Sequence, residues 1–200
     1  EATVTVAPDQ AQIDIGVTTQ ARSAGEAVQR NAAQAEKVIA ELRQAAGAGA
    51  RVRTLSYSVR PDYRHGENRR PEIVGYTASN IVRVTIDDLA RIGDVIDVSS
   101  RSGANEIPRL QFGLKDPQAA QAEAIKAAAA KARSEANALA ASLGVEVVRI
   151  LNATETGAPV RPMHDVMFAA RAEAAQTPIE AGTIEVSATV TLTVEIEQRR

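Results

Sequence analysis

Two hundred residues with a formal net charge of −2 suit one large domain or two small ones, and they exclude a chain that holds nucleic acid through bulk positive charge. Hydrophobic residues make up 44% and charged residues 24%, which excludes a disordered chain, and no run of about 18 apolar residues exists to cross a membrane as a helix. There is no cysteine and no tryptophan, so disulfides, thiol catalysis and Cys-ligated zinc or iron–sulfur centres are excluded and the core falls to Ala, Val, Ile and Leu.

A cysteine-free chain suits an oxidising compartment, where a stray thiol is a hazard, and equally a cytosolic protein, many of which also lack Cys. The chain opens at Glu1 without Met, which fits a removed signal peptide or a trimmed terminus. Thr3 to Val6 is a short strand, Pro8-Asp9 a turn, and Ala11, Ile13, Ile15 and Val17 alternate with polar residues, so the opening reads as a β-hairpin. Ser23 and Glu26 form a capping box ahead of a stripe of Ala24, Ala27, Val28, Asn31, Ala35, Val38, Ile39 and Leu42, with Gly47 and Gly49 as the stop. Arg51 to Pro61 reads as a strand with Val52, Tyr57 and Val59 as apolar members, followed by a polar loop from Asp62 to Pro71. Ile73 to Ile86 is a second long strand, in which Asn80 interrupts an apolar face and needs a hydrogen-bond partner if buried.

Asp87 is expected to cap a short helix with Leu89, Ile92, Val95 and Ile96 inward, and Gly103 to stop it. Ile107 to Leu114 is a strand bent at Pro108. Asp116-Pro117 opens an Ala-rich helix whose inward face runs from Ile125 through Ala128 to Leu139, Ala140 and Leu143, and Gly144 ends it. Val145 to Ala153 is a strand. Ile184 to Ile196 alternates without a break over about 45 Å, so it bends between two sub-cores or projects beyond one. The whole reads as an α+β fold with a mostly antiparallel sheet of long strands, two α/β halves and Ala-rich helices packed on one face. One domain, 1–200, with sub-halves of about 1–86 and 87–200 sharing the long strands, is the expected organisation, and 157–182 is a variable loop.

No phosphate-binding loop, dinucleotide fingerprint or nucleophile elbow occurs, since Gly47-Ala48-Gly49 precedes a strand instead of following one. His65 and His164 are the only histidines, each in a loop and without a spaced ligand partner, so neither a metal site, a cofactor nor a catalytic base is expected. Asp87 and Asp88 are explained by a helix start. Two features remain as candidate contacts. Arg51, Arg53, Arg60, Arg64, Arg69 and Arg70, interleaved with Tyr57, Tyr63 and His65, form a basic cluster suited either to a solvated face or to an anionic lipid headgroup or envelope-protein partner. Met163, Met167 and Phe168 in the long loop suit an oligomer or partner anchor, or a loop folded back on its own sheet.

Several strings in order resemble the SIMPL-domain family, the YggE-like and periplasmic-immunogenic-protein-like bacterial envelope proteins. They are Val6-Ala7-Pro8-Asp9-Gln10-Ala11, Gly75-Tyr76-Thr77-Ala78-Ser79-Asn80, Gly103-Ala104-Asn105, Phe112-Gly113-Leu114-Lys115-Asp116-Pro117, Ala132-Arg133 with Leu139-Ala140 and Gly144-Val145, and Pro178-Ile179-Glu180-Ala181-Gly182 before Val186-Ser187-Ala188. Ala2 stands where the family commonly has Gly, and Arg51 where it often has an acidic residue. The resemblance implies a periplasmic, secreted or outer-membrane-associated protein linked to oxidative or envelope stress, and assembly into ring-like or channel-like homo-oligomers. It implies no catalytic residue. The leading expectation is a non-enzymatic envelope scaffold acting by self-association. The alternatives are a monomeric ligand- or client-binding, chaperone-like module and an enzyme of unrecognised type.

Overall fold

The computed structural model describes residues 1–64, 70–157, 161–162 and 179–198. In chain order the elements are β1 (Ala2–Val6), β2 (Gln10–Ala21), α1 (Ala24–Ala46), β3 (Arg51–Arg64), β4 (Glu72–Ile86), a 3₁₀ turn (Leu89–Arg91) leading into α2 (Ile92–Ser102), β5 (Glu106–Gly113), α3 (Pro117–Ser142), β6 (Val145–Gly157), the two-residue β7 (Arg161–Pro162) and β8 (Ile184–Gln198). They form an α+β fold with two antiparallel sheets, one in each of two compact units. The central unit takes the middle of the sequence, 9–113, and the terminal unit takes 1–8, 114–157, 161–162 and 181–198.

In the central unit the order β-α-β-β-α-β and the sheet order β3-β4-β2-β5 define a ferredoxin-like, split-βαβ topology. Period two explains its core. Ala11, Ile13 and Ile15 of β2 and Ala78, Val84 and Ile86 of β4 are fully buried on one face, beneath Ala27, Val38 and Leu42 of α1. Asn31 sits in that apolar stripe as a clasp: fully buried, its Nδ2 donates to the carbonyls of Val17 (2.7 Å) and Ala78 (3.0 Å), on neighbouring strands. Oδ1 of Asn31 and Oδ1 of Asn80 are buried without a described protein donor. Tyr57 and Val59 face Asn80 and Ala78, and Val52 faces Val84. All three share the core face, despite the odd spacing of Val52 and Tyr57, because a bulge at Leu55 adds a residue. A second bulge falls opposite Ile15, where the register skips from Arg109 to Glu106 across Pro108, which has no N–H to pair.

The turn Gly103-Ala104-Asn105 does two jobs. Gly103 leaves α2 at φ 111°, and Ala104 N–H returns to the Ser99 carbonyl at 2.9 Å. Asn105 then extends the sheet with its side chain: Oδ1 accepts from Thr18 N–H (2.9 Å) and Nδ2 donates to the Thr18 carbonyl (2.7 Å). A Cβ on Gly103 would lie 1.6 Å from Nε2 of Gln34, which donates to the Gly103 carbonyl at 3.1 Å. Gly103→Ala is therefore expected to cost about 2 kcal/mol, from positive φ and the displaced Gln34 together. A urea melt checks this. In a Gln34→Ala background the cost should fall to the φ contribution, about 1 kcal/mol; an unchanged cost there would rule out the clash.

The opening hairpin expected from the sequence does not form. Both edges of β2 are taken, by β4 and β5, and β1 instead pairs with β8, Ala2 opposite Ala188 through Val6 opposite Ile184. The cap ahead of α2 also differs. Asp88 accepts from Ala90 N–H, while Asp87 holds the amide of Gln10 at 2.9 Å.

In the terminal unit β8 is the central strand. It pairs with β1 over 184–188, with β7 over 184–185 and with β6 over 188–198. Asp116 caps α3 and Pro117 starts it. Ala120, Ala124 and Ala128, one turn apart, pack on Ile184, Val186 and Ala188, with Val4, Val6, Leu114 and Ile125 around them. Alanine at that spacing lets helix and strand approach closely, so the core here is thin.

Candidate functional site

Burial along β8 fades from one end to the other. Ile184, Val186 and Ala188 are inside, Val190, Leu192 and Val194 are half-covered, and Ile196 is exposed. The same holds for the helix above it. Leu139 and Leu143, expected inward, are 62% and 64% exposed. Only Ala140 is buried in the C-terminal half of α3. Across the strands, Val148, Ile150 and Leu151 of β6 are exposed too. A groove of about 210 Å³ opens between α3 and the two strands, lined by Ala136, Val147, Leu192 and Val194 with Arg133 and Asn137 at the helix side.

Backbone pairing leaves the same end unfinished. From 189 to 198, β8 has β6 on one edge, and no strand among the described residues on the other. The outer edge of β6 is unpaired by any described strand as well. A two-stranded ribbon is marginal in water, and an unpaired edge with apolar side chains is a template for another strand.

The arginine cluster divides. Arg51, Arg53 and Arg60 lie on the sheet face turned away from α1, opposite Thr85, Arg83 and Thr77 of β4. Arg64 and Arg70 flank the far end of the β3–β4 hairpin, and all five of these arginines are exposed. Arg69 lies outside the described residues, as do His65, His164, Met163, Met167 and Phe168. Two further arginines join the face that the sequence reading had not grouped with it. Arg53, Arg83, Asp14 and Arg109 stand in one row across the four strands. The signal was the parity of Arg83 and Arg109 within their own strands.

Asp14 is 4% exposed in that row and takes a two-pronged contact from Arg83, Nε to Oδ1 at 2.6 Å and Nη2 to Oδ2 at 2.8 Å. The hydrogen bond to Asp14 pushes the Arg83 guanidinium above its ordinary range, against the opposing effect of desolvation. A second concavity, an open cleft of about 830 Å³, lies where β2 enters α1 against the hairpin and is lined by Arg22, Glu26, Arg30, Asp62 and Gly75. Within it Arg30 pairs with Glu26, and Asp62 accepts from Thr77 Oγ1 at 2.7 Å. No group of three or more His, Asp or Glu placed to hold a metal occurs among the described residues, and no described helix is long and apolar enough to cross a membrane.

The motif residues thus have structural roles in the fold: Ala78 and Asn80 beneath α1, Gly103 and Asn105 at the sheet end, Asp116 and Pro117 at a helix start. Fold and surface together define an α+β protein of two antiparallel sheets with an unfinished apolar ribbon and an arginine face. The chain belongs to the SIMPL family, described as a protein of unknown function (DUF541), whose model matches residues 1–194. It is 30% identical over 167 residues to the 26 kDa periplasmic immunogenic protein of Brucella melitensis, covering 82% of this chain and 67% of that one. It is 24% identical over 177 residues to the uncharacterized protein YggE of Edwardsiella ictaluri (88% and 74% covered) and 28% identical over 139 residues to YggE of Escherichia coli K12 (70% and 56%).

Proposed function

We propose that this chain is a non-enzymatic protein of the bacterial periplasm that acts by self-association, one copy completing the β6–β8 ribbon of the next as a scaffold or channel-like assembly. The observation that carries the reading is the coincidence of a β8 edge that no described strand pairs from 189 to 198 with exposed Leu139, Leu143, Val148, Ile150, Leu151 and Ile196 at the same end. Strand addition supplies the missing backbone partners, and burial of six large apolar side chains supplies the driving force. The compartment rests on the Brucella relative's name and on the cysteine-free composition. The link to oxidative or envelope stress rests on the family resemblance. With no Cys and two Met, such protection would come from the assembly and not from thiol chemistry.

The test is native mass by light scattering on a sizing column. Leu143→Glu with Ile150→Lys places charge in the patch while leaving the buried Ala120–Ala128 core alone, so a discrete wild-type oligomer should fall to monomer with an unchanged far-ultraviolet spectrum. A monomeric wild type overturns the reading. In that case the groove beside Ala136 and Val194 favours the second reading, a module that holds an apolar ligand or client segment.

A further inference from the structure

We propose that the outer part of the β3–β4 ribbon, 60–64 with 70–75, docks the protein onto an anionic phospholipid surface. β2 accompanies β4 only as far as Tyr76, opposite Ala21, so 62–64 and 72–75 run on as a two-stranded projection. Its described part carries large apolar side chains where solvent would call for polar ones. Tyr63 and Ile73 are cross-strand partners on the arginine face, 50% and 47% exposed, and Val74, on the opposite face of the ribbon at the edge of the cleft beside Arg22, is 43% exposed. Arg60, Arg64 and Arg70 surround them, all exposed, and none forms an ion pair with a described carboxylate. The ribbon's described carboxylates are Asp62, held by Thr77 Oγ1, and Glu72, the exposed cross-strand partner of Arg64, so the three arginines outnumber them by one. Farther along β3, Arg51 and Arg53 add to the positive face.

This composition matches a bilayer interface. Tyr places a ring at headgroup depth with its hydroxyl in water, short aliphatic side chains enter the acyl boundary, and arginines take phosphates in bidentate contacts while the lipid's negative potential draws them in. A protein partner suits this ribbon less well. Tyr63, Ile73 and Val74, split between the two faces of a narrow ribbon, fall far short of the roughly 1,000 Å² that a specific protein interface buries. A bilayer needs no complementary pocket.

Flotation of the full chain with phosphatidylethanolamine vesicles, with and without phosphatidylglycerol, tests this. Binding is expected only with phosphatidylglycerol present, and high salt should weaken it. Arg60→Glu/Arg64→Glu/Arg70→Glu should reduce it at least about tenfold. Tyr63→Ser/Ile73→Ser/Val74→Ser, which keeps every charge, should reduce it severalfold. Both variants are solvent-side changes, and unchanged thermal melting will show that they fold. Equal binding by either variant, equal binding to uncharged vesicles, or no binding by wild type overturns the proposal. So does capture by soluble polyglutamate that matches the vesicles and ignores the Ser variant, which would assign the ribbon to an acidic polypeptide.

Discussion

Asp14→Ala should lower the melting temperature by roughly 6–12 °C, corresponding to about 3 kcal/mol for a chain of this length. Asp14 is almost fully covered, and Arg83 keeps only 16% of its side-chain surface in water. Removing the carboxylate strands a guanidinium that has no other carboxylate in described contact, and the lost desolvation is not returned. Asp14→Ala with Arg83→Met should recover much of the loss, because the double variant buries an apolar chain instead of an unpaired charge. If the double variant is as unstable as the sum of the two singles, the pair is not coupled and the pairing is incidental. The pH dependence has a definite sign. Arg83 has its folded-state value raised, so its contribution is fully present below the ordinary arginine range and is lost only as pH rises through the higher folded value. Between pH 5 and 9, roughly, the Arg83 contribution should stay flat.

Asn31→Asp should be the more destabilising of two changes at the α1 clasp, at about 4 kcal/mol near neutral pH against about 3 for Asn31→Leu. Leu removes the donor from two buried carbonyls, Val17 and Ala78. Asp does the same and adds a charge at a site that is fully buried. Burial would raise the folded-state value of the new carboxyl, so the variant is most stable below the free aspartate range, near 4, and loses stability as pH rises through its folded value. Thermal melts at acid and neutral pH separate the cases. A pH-independent Asn31→Asp variant would mean that the side chain swings out to water.

What the sequence revealed followed from local periodicity. β2 and β8 alternate regularly, β4 does so but for Asn80, and α1 has an apolar stripe broken only by Asn31 with a cap at each end, so their type and inward face follow from side-chain geometry alone. The partners of β1 did not follow. Five residues carry too little pattern to choose between β2 next door and β8 more than 180 positions on, and the choice was made by α3, whose alanines need β1 and β8 side by side. Leu139 and Leu143 obey the helical period and yet are exposed, because the sheet beneath that turn of α3 narrows to two described strands, which no pattern within the helix reports.

The surfaces were legible to different degrees for the same reason. The arginines of β3 stand close in sequence, so a cluster was visible, but its division into a face row and an outer ribbon depends on bulges at Leu55 and after Asp62. Arg83 and Arg109 join the row through strand register, a long-range property. The ribbon end combines residues of α3, β6 and β8 that are weak signals singly, and it emerges only when pairing shows which edge of β8 has no described strand beside it.

Amide hydrogen exchange across 189–198 of β8, at protein concentrations above and below the association midpoint, tests the central claim most directly. Alternate N–H groups of this stretch point away from β6. If one copy completes the ribbon of another, those amides become protected as the oligomer forms and exchange freely on dilution, while the amides bonded to β6 change little. Identical exchange at both concentrations, with the mass nonetheless changing, would contradict the ribbon as the joint between copies.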